Sequence, residues 1–445
     1  MIDTALRVPL SLQQDFLRRV DHGDDAGPFG SRYTIVGGWR IRGPIDVDTL
    51  RDALADVVAR HEALRTMLMV DGDEACQQIQ PPSSPDLMLR DLPDRGPADR
   101  ERIAEDFLND VESGRFGMDE TPLLRAVLGR FDNDDAVLAL VAHHTAADGW
   151  SMQVIMRDLA SYYAARRQGR PADLPPARQY REYVAWQQAN ADSETAVAAR
   201  RYWQERLRDA QVWPVRTDLT RADGPFVTSW YRFLLEDELR AATVALAAET
   251  RSTPFMVLMA AYLTHLRERT GETDLVVPTF MPGRNPSWTL QIVGSFYNFI
   301  PLRTDTSNCT DFRDLIGRVR TTCLDAYRHE LPFADIIAQA PDVMNAAIGP
   351  DAAACVLQVT QSPYVLREEQ VGDLRYTALR RRLVSAPVGS QIPDGALLGL
   401  ELDPDGGIVG SIGFTTNLFV ESTIVGMAAD FQQTLRDVLH PSSRR

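Results

Sequence analysis

The 445-residue chain contains no lysine, so all 47 of its basic residues are arginines. Without lysine, the protein cannot use a lysine Schiff base in catalysis. Its 62 acidic residues outnumber the arginines and give a net charge of -15. Because binding nucleic acid requires a concentrated basic surface, this charge argues against a nucleic-acid partner.

Cysteines and long apolar runs are also scarce. The four cysteines, Cys76, Cys309, Cys323 and Cys355, lie far apart and form no CxxC pair of the kind used in zinc or redox sites. We therefore expect reduced, mostly buried thiols and no metal site. No apolar run approaches the length of a membrane span, and the amino terminus lacks the charged-then-apolar order of a signal peptide. The sequence thus predicts a cytoplasmic protein with no membrane partner.

Length and composition predict two globular domains. The chain is 44% hydrophobic, too long for one ordinary core and long enough for two domains of about 200 residues. Between Gly169 and Pro176 the composition turns to proline, glycine and arginine, which predicts a boundary between domains 1–175 and 176–445. In each half, strand-like and helix-like patterns alternate without any internal sequence repeat. This order predicts an α/β fold built of two layered parts.

Hydrophobic periodicity predicts the individual elements. In the first half we expect a strand at residues 31–43, a hairpin of residues 64–70 and 75–79 around Asp71-Gly72-Asp73, a surface loop over 80–97 and a helix over 98–114. In the second half we expect a strand at 226–235 and helices over 180–190, 195–208, 237–250, 254–269, 311–328 and 421–439.

A strand-to-helix turn at residues 143–151 is the predicted centre of the chemistry. The apolar run 136–142 has the pattern of a strand buried on both faces, and it leads directly to His143 and His144. Ser151 can serve as the N-cap of the helix that follows. Since successive side chains of an extended chain point to opposite faces, only one of the two histidines can reach a given substrate atom.

This turn resembles a known signature. The pattern HHxxxDG at residues 143–149, followed by Trp150 and Ser151, is similar to that of condensation domains of nonribosomal peptide synthetases, in the chloramphenicol-acetyltransferase-like superfamily. Residues 11–17, 60–66, 180–186 and 293–303 resemble further motifs of the family in the same order. Residues 329–333 match more loosely, because His329 is one residue closer to the proline. The resemblance covers nearly the whole chain.

The resemblance implies a fold of two lobes in a V, with the active site in the channel between them. It also implies acyl transfer from a thioester, with His144 as the general base or as the group that orients the nucleophile, and His143 as a packed residue. Asp148 could be a base, but the family pairs it with an arginine, and Arg284 matches that place. We therefore expect a structural ion pair.

The other expected site residues are a glycine and three channel residues. Gly149 is expected to let the backbone approach the reacting atoms, to allow a φ that other residues resist, or to do both. The resemblance further implies that Trp150, Asn298 and Gln361 line the substrate channel. For Asn298 and Gln361 the alternative of a hydrogen-bonded core amide is equally open.

Four other functions fit the sequence less well. A metal hydrolase is disfavoured, since HHxxxD lacks the i, i+4 helical spacing of a zinc motif. A coenzyme-A acyltransferase of the plant type would carry an Asp-Phe-Gly-Trp-Gly segment, which is absent. A noncatalytic recruitment module would be expected to have a damaged HHxxxDG, and an epimerisation domain fits the flanking motifs less well.

The expected partners follow from the same resemblance. Because the sequence has no adenylation or carrier segment, we expect a free-standing condensation enzyme that binds no cofactor of its own. Its donor would be carried on the phosphopantetheine of a separate carrier protein. Arginines 200, 201, 206 and 208, or 380–382, could supply a docking patch, but the favoured interpretation is that they are solvated helix or loop arginines. The acceptor would be a small alcohol or amine in natural-product assembly, as on enediyne cores, with an ester slightly favoured over an amide.

Overall fold

A computed structural model describes residues 6–440, apart from residues 22, 24, 26, 71–74, 94–95, 222–225, 361–365 and 393. The strands of the first half are β1 (Leu6–Pro9), β2 (Thr34–Arg42), β3 (Thr66–Met69), β4 (Cys76–Ile79), β5 (Leu87–Asp91), β6 (Leu124–Arg130) and β7 (Asp135–His143). Its helices are α1 (Leu12–Val20), α2 (Val47–Arg60), α3 (Arg100–Glu112) and α4 (Gly149–Arg167).

The second half has the same mixture of elements. Its strands are β8 (Pro214–Arg216), β9 (Thr228–Leu235), β10 (Asp274–Met281), β11 (Asn298–Asp305), β12 (Ala352–Thr360), β13 (Glu369–Val371), β14 (Leu374–Ala378), β15 (Gly395–Leu402) and β16 (Ile408–Thr415). Its helices are α5 (Tyr180–Asn190), α6 (Glu194–Arg206), α7 (Asp237–Glu249), α8 (Pro254–Thr270), α9 (Phe312–Arg328), α10 (Phe333–Gln339) and α11 (Glu421–Leu439).

The first lobe is built on a six-stranded sheet in the order β13-β14-β2-β7-β6-β5. The histidine-bearing strand β7 is central and pairs antiparallel with both β2 and β6. Along it, Leu138 and Leu140 pack into the core beneath α2 and α4, whereas Val137 and Ala139 pack beneath α3. This alternation confirms the prediction of a strand buried on both faces, and the strand ends at His143.

The second lobe is built on a seven-stranded sheet in the order β11-β10-β12-β15-β16-β9, with β8 paired to β12. Helices α7, α8, α9 and α11 share one large core with this sheet. On the other face, Leu397 belongs to a small apolar cluster that includes Trp230. Both residues line a cavity together with Glu112 of α3, so this face of the sheet is turned toward the first lobe.

Two strands of the second half, β13 and β14, belong to the sheet of the first lobe. Strand β14 pairs antiparallel with β2, with Tyr376 opposite Ile41, and its Leu374 and Tyr376 are buried in the first lobe's core. The predicted division between residues 175 and 176 does not account for this crossover, because hydrophobic patterning identifies strands but not their partners. Residues 369–378 thus extend the first sheet.

Most predicted elements are found within a few residues of their expected bounds, and α5 and α11 coincide with them. The prediction of a loop over 80–97 is wrong, because β5 pairs there with β6 in parallel. This edge strand is largely exposed, with Met88 and Leu89 both 44% accessible, and so lacks a buried pattern. Strands β3 and β4 form the predicted hairpin, whose turn 71–73 lies outside the described residues.

Two further expectations concern cysteines and membrane spans. All four cysteines are free; Cys323 and Cys355 are buried and the other two are half-buried. Among the helices of the described residues, none combines the length and apolar character needed to cross a bilayer.

Candidate active site

The two histidines at the end of β7 have different environments, as predicted. His143 is fully buried, with Nδ1 2.8 Å from Thr145 Oγ1 and Nε2 3.2 Å from the Gly30 carbonyl oxygen. Burial lowers the pKa of His143 to about 4, so the ring is neutral. With both nitrogens occupied inside the lobe, His143 is a packing residue.

His144 is held in one tautomer by its own turn. Its Nδ1 lies 2.9 Å from the Ala147 carbonyl oxygen, which can only accept a hydrogen bond, so Nδ1 carries the proton. Nε2 therefore presents a lone pair. Burial lowers the pKa of His144 below its ordinary value, which keeps the imidazole neutral near pH 7. A neutral, oriented imidazole whose second nitrogen carries a lone pair has the properties of a general base.

Two tyrosines, one from each lobe, enclose this imidazole. The Tyr33 ring stacks on His144 with centroids 5.0 Å apart, and Tyr297 meets the imidazole at 4.9 Å and an interplanar angle of 60°. The two phenol groups hydrogen-bond to each other. Burial raises the pKa of Tyr33 to about 12, and that of Tyr297 well above its ordinary value, so both stay protonated. This pair was not predicted from the sequence, although Tyr297 lies within the recognised motif at residues 293–303.

Asp148, and not Ser151, is the N-cap of α4, which corrects the predicted cap. Asp148 Oδ1 accepts the Ser151 backbone N–H at 2.7 Å, and the helix begins at Gly149. Asp148 Oδ2 accepts the Phe296 backbone N–H from the second lobe at 3.2 Å. The carboxylate thus ties the start of the helix to the segment that carries Tyr297.

The predicted ion pair between Asp148 and Arg284 is present and buried. Arg284 Nη2 lies 2.7 Å from Asp148 Oδ1 and 2.8 Å from Ser151 Oγ. Arg284 Nη1 donates to the carbonyl oxygens of Thr289 and Ile292 at 2.9 and 2.8 Å. Because the pair also organises backbone on both sides of the lobe interface, its geometry fits a structural role.

Gly149 does not adopt an unusual backbone conformation. Its φ lies outside the left-handed region, and among the described residues an added Cβ would meet only Ile35 Cδ1, at 3.8 Å. The interpretation that glycine is needed here for its φ is therefore wrong, while close approach to the reacting atoms stays a prediction. A nearby glycine that packing does require is Gly294, where a Cβ would lie 2.2 Å from the Tyr180 ring.

The three predicted channel residues have different outcomes. Trp150 donates from Nε1 to the Leu290 carbonyl at 2.8 Å and packs against the first lobe's core. The Asn298 amide donates to Leu331 O at 2.7 Å and accepts from Phe333 N at 3.0 Å, as a satisfied core amide does. Asn298 also lines a cavity of about 380 Å³. Gln361 lies outside the described residues.

Two residues of the motif at residues 60–66 bind the active-site helix α4. Arg60 Nε and His61 Nε2 lie 2.8 and 2.9 Å from the same Asp158 carboxylate oxygen on α4. Although burial alone would raise the pKa of Asp158, its bond to His61 and the arginine charges lower that pKa to about 2. The sequence pattern of α4 could have identified Asp158 as an acid on its apolar side, but it could not have identified Arg60 and His61 as its partners.

A second charged cluster joins the lobes away from His144. Glu112, at the end of α3, lies 3.3 Å from Arg232 of β9 and 2.7 Å from Arg382. Arg382 lies in the crossover segment, residues 379–392, which returns from β14 to the second lobe. Arg380 in the same segment pairs with Glu401. Two of the arginines considered for carrier docking are therefore engaged inside the protein.

The chain is similar to known proteins over nearly its whole length. The profile of a family described as "Condensation domain" matches residues 25–445. A probable non-canonical nonribosomal peptide synthetase, CymA of Salinispora arenicola, is 33% identical over 98% of this chain and 6% of its own length. A dimodular nonribosomal peptide synthase of Bacillus subtilis is 30% identical over 95% of this chain and 18% of its own length. The chain thus spans less than a fifth of the length of these relatives.

Solved structures of similar length also match. SgcC5 from Streptomyces globisporus, in complex with (R)-(-)-1-(2-naphthyl)-1,2-ethanediol and sucrose, is 44% identical with a TM-score of 0.93. That match covers 97% of this chain and 98% of SgcC5. The first condensation domain of the calcium-dependent antibiotic synthetase is 20% identical with a TM-score of 0.78, covering 98% of this chain and 97% of that domain. This second likeness supports the two-lobed fold alone.

Proposed function

Since the chain belongs to the condensation domain family, whose members are acyltransferases of nonribosomal peptide synthesis, we propose that it transfers an acyl or aminoacyl group from a carrier-protein thioester to a hydroxyl group. The product would be an ester in natural-product biosynthesis. The observation that carries the proposal is the fixed tautomer of His144, whose Nδ1–H donates to Ala147 O and leaves a lone pair on Nε2.

In the proposed reaction, Nε2 of His144 takes the proton of the acceptor hydroxyl while its oxygen attacks the thioester carbonyl carbon. The tetrahedral adduct then collapses, the carbon–sulfur bond breaks, and the thiolate receives the proton from the imidazolium. A thioester is already activated, so positioning and proton transfer supply much of the required acceleration. Asp148 and Arg284 do not exchange protons in this scheme; they hold the turn that carries His144.

The donor is proposed to arrive on the phosphopantetheine arm of a separate carrier protein. His144 lies between tyrosines from both lobes, so a donor must pass between the lobes to reach it. A long flexible arm can do so while the carrier stays outside. This chain would bind no cofactor of its own.

A vicinal diol is the proposed class of acceptor. SgcC5, at 44% identity over nearly the full chain, was solved in complex with an aryl ethanediol, which carries two hydroxyls and no amine. This supports ester formation over amide formation. An amine acceptor remains the second candidate, because the same lone pair of His144 can take a proton from an ammonium or amine nucleophile.

The test presents one acyl group in three forms: on a holo-carrier protein, on coenzyme A and on a small thiol. Each donor is offered with an aryl ethanediol and with the matching amine, and the product mass distinguishes ester from amide. We expect the carrier form to react fastest, because remote contacts with the carrier help to position the thioester. Equal rates from coenzyme A would favour a simple acyltransferase, and no transfer from any donor would favour a recruitment module.

A further inference from the structure

The hydrogen bond between Tyr33 and Tyr297 is the least explained feature beside His144. Tyr33 immediately precedes β2, and its carbonyl accepts the His144 backbone N–H at 2.8 Å. Its ring then stacks on the imidazole of the same residue. Tyr33 is 7% exposed, so its phenol is held among protein groups. Tyr33 and His144 are therefore a fixed unit of the first lobe.

Tyr297 is held equally firmly by the second lobe. On one side, the Phe296 N–H donates to Asp148. On the other, the Asn298 side chain bonds to Leu331 and Phe333. The Tyr297 ring also meets Phe280 edge-on at 5.7 Å. Both tyrosines that form the phenol–phenol hydrogen bond are therefore carried by backbone that other contacts hold in place.

A pair of phenols has more hydrogen-bonding capacity than their mutual bond uses. Each phenol oxygen can donate once and accept as well, so one O–H and several lone pairs remain after the two bond to each other. Both rings contact the imidazole, so these phenol groups belong to side chains that pack against the proposed base. A ligand hydroxyl inserted between the phenols could accept from one and donate to the other without leaving either unpaired.

We propose that Tyr33 and Tyr297 are positioning residues that select a vicinal diol acceptor. One hydroxyl of the diol lies at His144 Nε2, and its neighbour replaces the direct bond between the two phenols. This inference rests on the proposed ester-forming function and adds to it the feature that the acceptor is selected by its second hydroxyl. An acceptor with a single hydroxyl would reach His144 but gain nothing from the phenols.

The experiment compares 1-(2-naphthyl)-1,2-ethanediol with 2-(2-naphthyl)ethanol, which lacks one hydroxyl. Binding of each is measured by calorimetry to wild type, Tyr33→Phe, Tyr297→Phe and the control Tyr376→Phe, a buried tyrosine of the first lobe's core. Acyl transfer to each is then measured with the carrier-bound donor. The phenylalanine variants keep the rings and remove only the hydroxyl groups.

We expect wild type and Tyr376→Phe to prefer the diol by about tenfold, the value of one net hydrogen bond. Tyr297→Phe and Tyr33→Phe should lose most of this preference, and their binding of the mono-alcohol should stay within about twofold of wild type. Loss of affinity for both alcohols alike would mean a purely structural role and would overturn the inference. So would equal affinity of wild type for the two alcohols.

Measuring both binding and acyl transfer distinguishes a failure of this inference from a failure of the proposed function on which it rests. If wild type prefers the diol in binding but transfers no acyl group to it, the proposed function fails and the selective pair stands. If wild type forms esters with diol and mono-alcohol at equal kcat/KM and binds them equally, the function stands and the pair has no such role.

Discussion

In the described part of the chain, two buried acid–arginine clusters join the lobes and serve different parts of the molecule. Asp148 meets Arg284 at the start of the active-site helix, with both carboxylate oxygens also accepting backbone N–H groups. Glu112 meets two arginines, Arg232 and Arg382, and lines a cavity of about 230 Å³. The Asp148 carboxylate accepts backbone N–H groups beside His144, whereas the Glu112 carboxylate contacts arginine side chains of the second half.

This difference predicts what is lost when the acid of each cluster is replaced. Replacing Asp148 would remove the N-cap of α4 and the hydrogen bond that holds the segment carrying Tyr297. It would also remove an ion pair. At Glu112, burial would raise the pKa, but the charges of Arg382 and Arg232 outweigh it and lower the pKa, so the charged acid mainly offsets two arginines. We therefore infer that the first cluster maintains the shape of the site and the second maintains the separation of the lobes.

The largest effect is expected at His144, whose turn the first cluster stabilises. His144→Ala should fold normally and lose turnover by about 10²- to 10⁴-fold, because a positioned proton acceptor typically contributes that much. Turnover is measured with the carrier-bound donor, beside the melting temperature. A soluble, stable variant with near-normal turnover would show that the lone pair of His144 is not used.

The wild-type pH profile sharpens the same prediction. The base must be unprotonated, so kcat/KM should rise with pH as His144 loses its proton. Burial lowers its pKa from 6.5, so the half-maximal point of this acid limb should lie below 6.5. A limb centred above that value would assign the proton acceptor to another group.

The next largest effect is expected at the first cluster. Asp148→Ala and Arg284→Ala should each cost about 3 to 5 kcal/mol of stability, because either leaves a buried charge without its partner. Denaturant unfolding measures the loss. The exposed pair of Arg367 and Asp405 provides a control, and Asp405→Ala should unfold like wild type.

The alternative role of Asp148 predicts a different pattern. If Asp148→Ala and Arg284→Ala unfold like wild type while turnover disappears, then Asp148 takes part in the chemistry and its structural assignment is wrong. If both lose stability together, a double variant should lose less than the sum of the two, since they remove one shared interaction.

The smallest of the three effects is expected at the second cluster. Glu112→Ala should cost about 1.5 to 3 kcal/mol, the range for hydrogen bonds to charged groups, since solvent in the adjoining cavity can hydrate the freed arginines. Glu112→Gln should recover part of this by keeping one acceptor. X-ray scattering of the variants measures the separation of the lobes. An unchanged scattering profile for Glu112→Ala would contradict the inference that this cluster maintains that separation.

Much of the site could be predicted from the sequence because its residues are close together. His143, His144 and Asp148 lie within one turn, and the resemblance to the HHxxxDG signature indicated which histidine is packed and which is functional. The pairing of Asp148 with Arg284 came from resemblance, since nothing local in a sequence joins residues so far apart. The tyrosine pair was missed for the same reason: Tyr33 and Tyr297 meet only after both lobes have folded.

The errors in the predicted fold also have physical causes. Strand β5 is an edge strand with exposed Met88 and Leu89, so it lacks the apolar alternation that marks buried strands. Ser151 has good capping chemistry, but Asp148 precedes it and its carboxylate accepts the Ser151 N–H. Gly149 has no conformational reason to be glycine, which only the backbone geometry could reveal.

The position of β14 has a consequence for recombining these enzymes. A fragment cut after residue 175 would leave the outer edge of β2 without the partner that pairs with residues 39–42. Unpaired sheet edges promote aggregation, and the fragment would also lose the buried side chains of Leu374 and Tyr376. A chimera that exchanges first lobes between relatives should therefore move residues 369–378 together with the amino-terminal half.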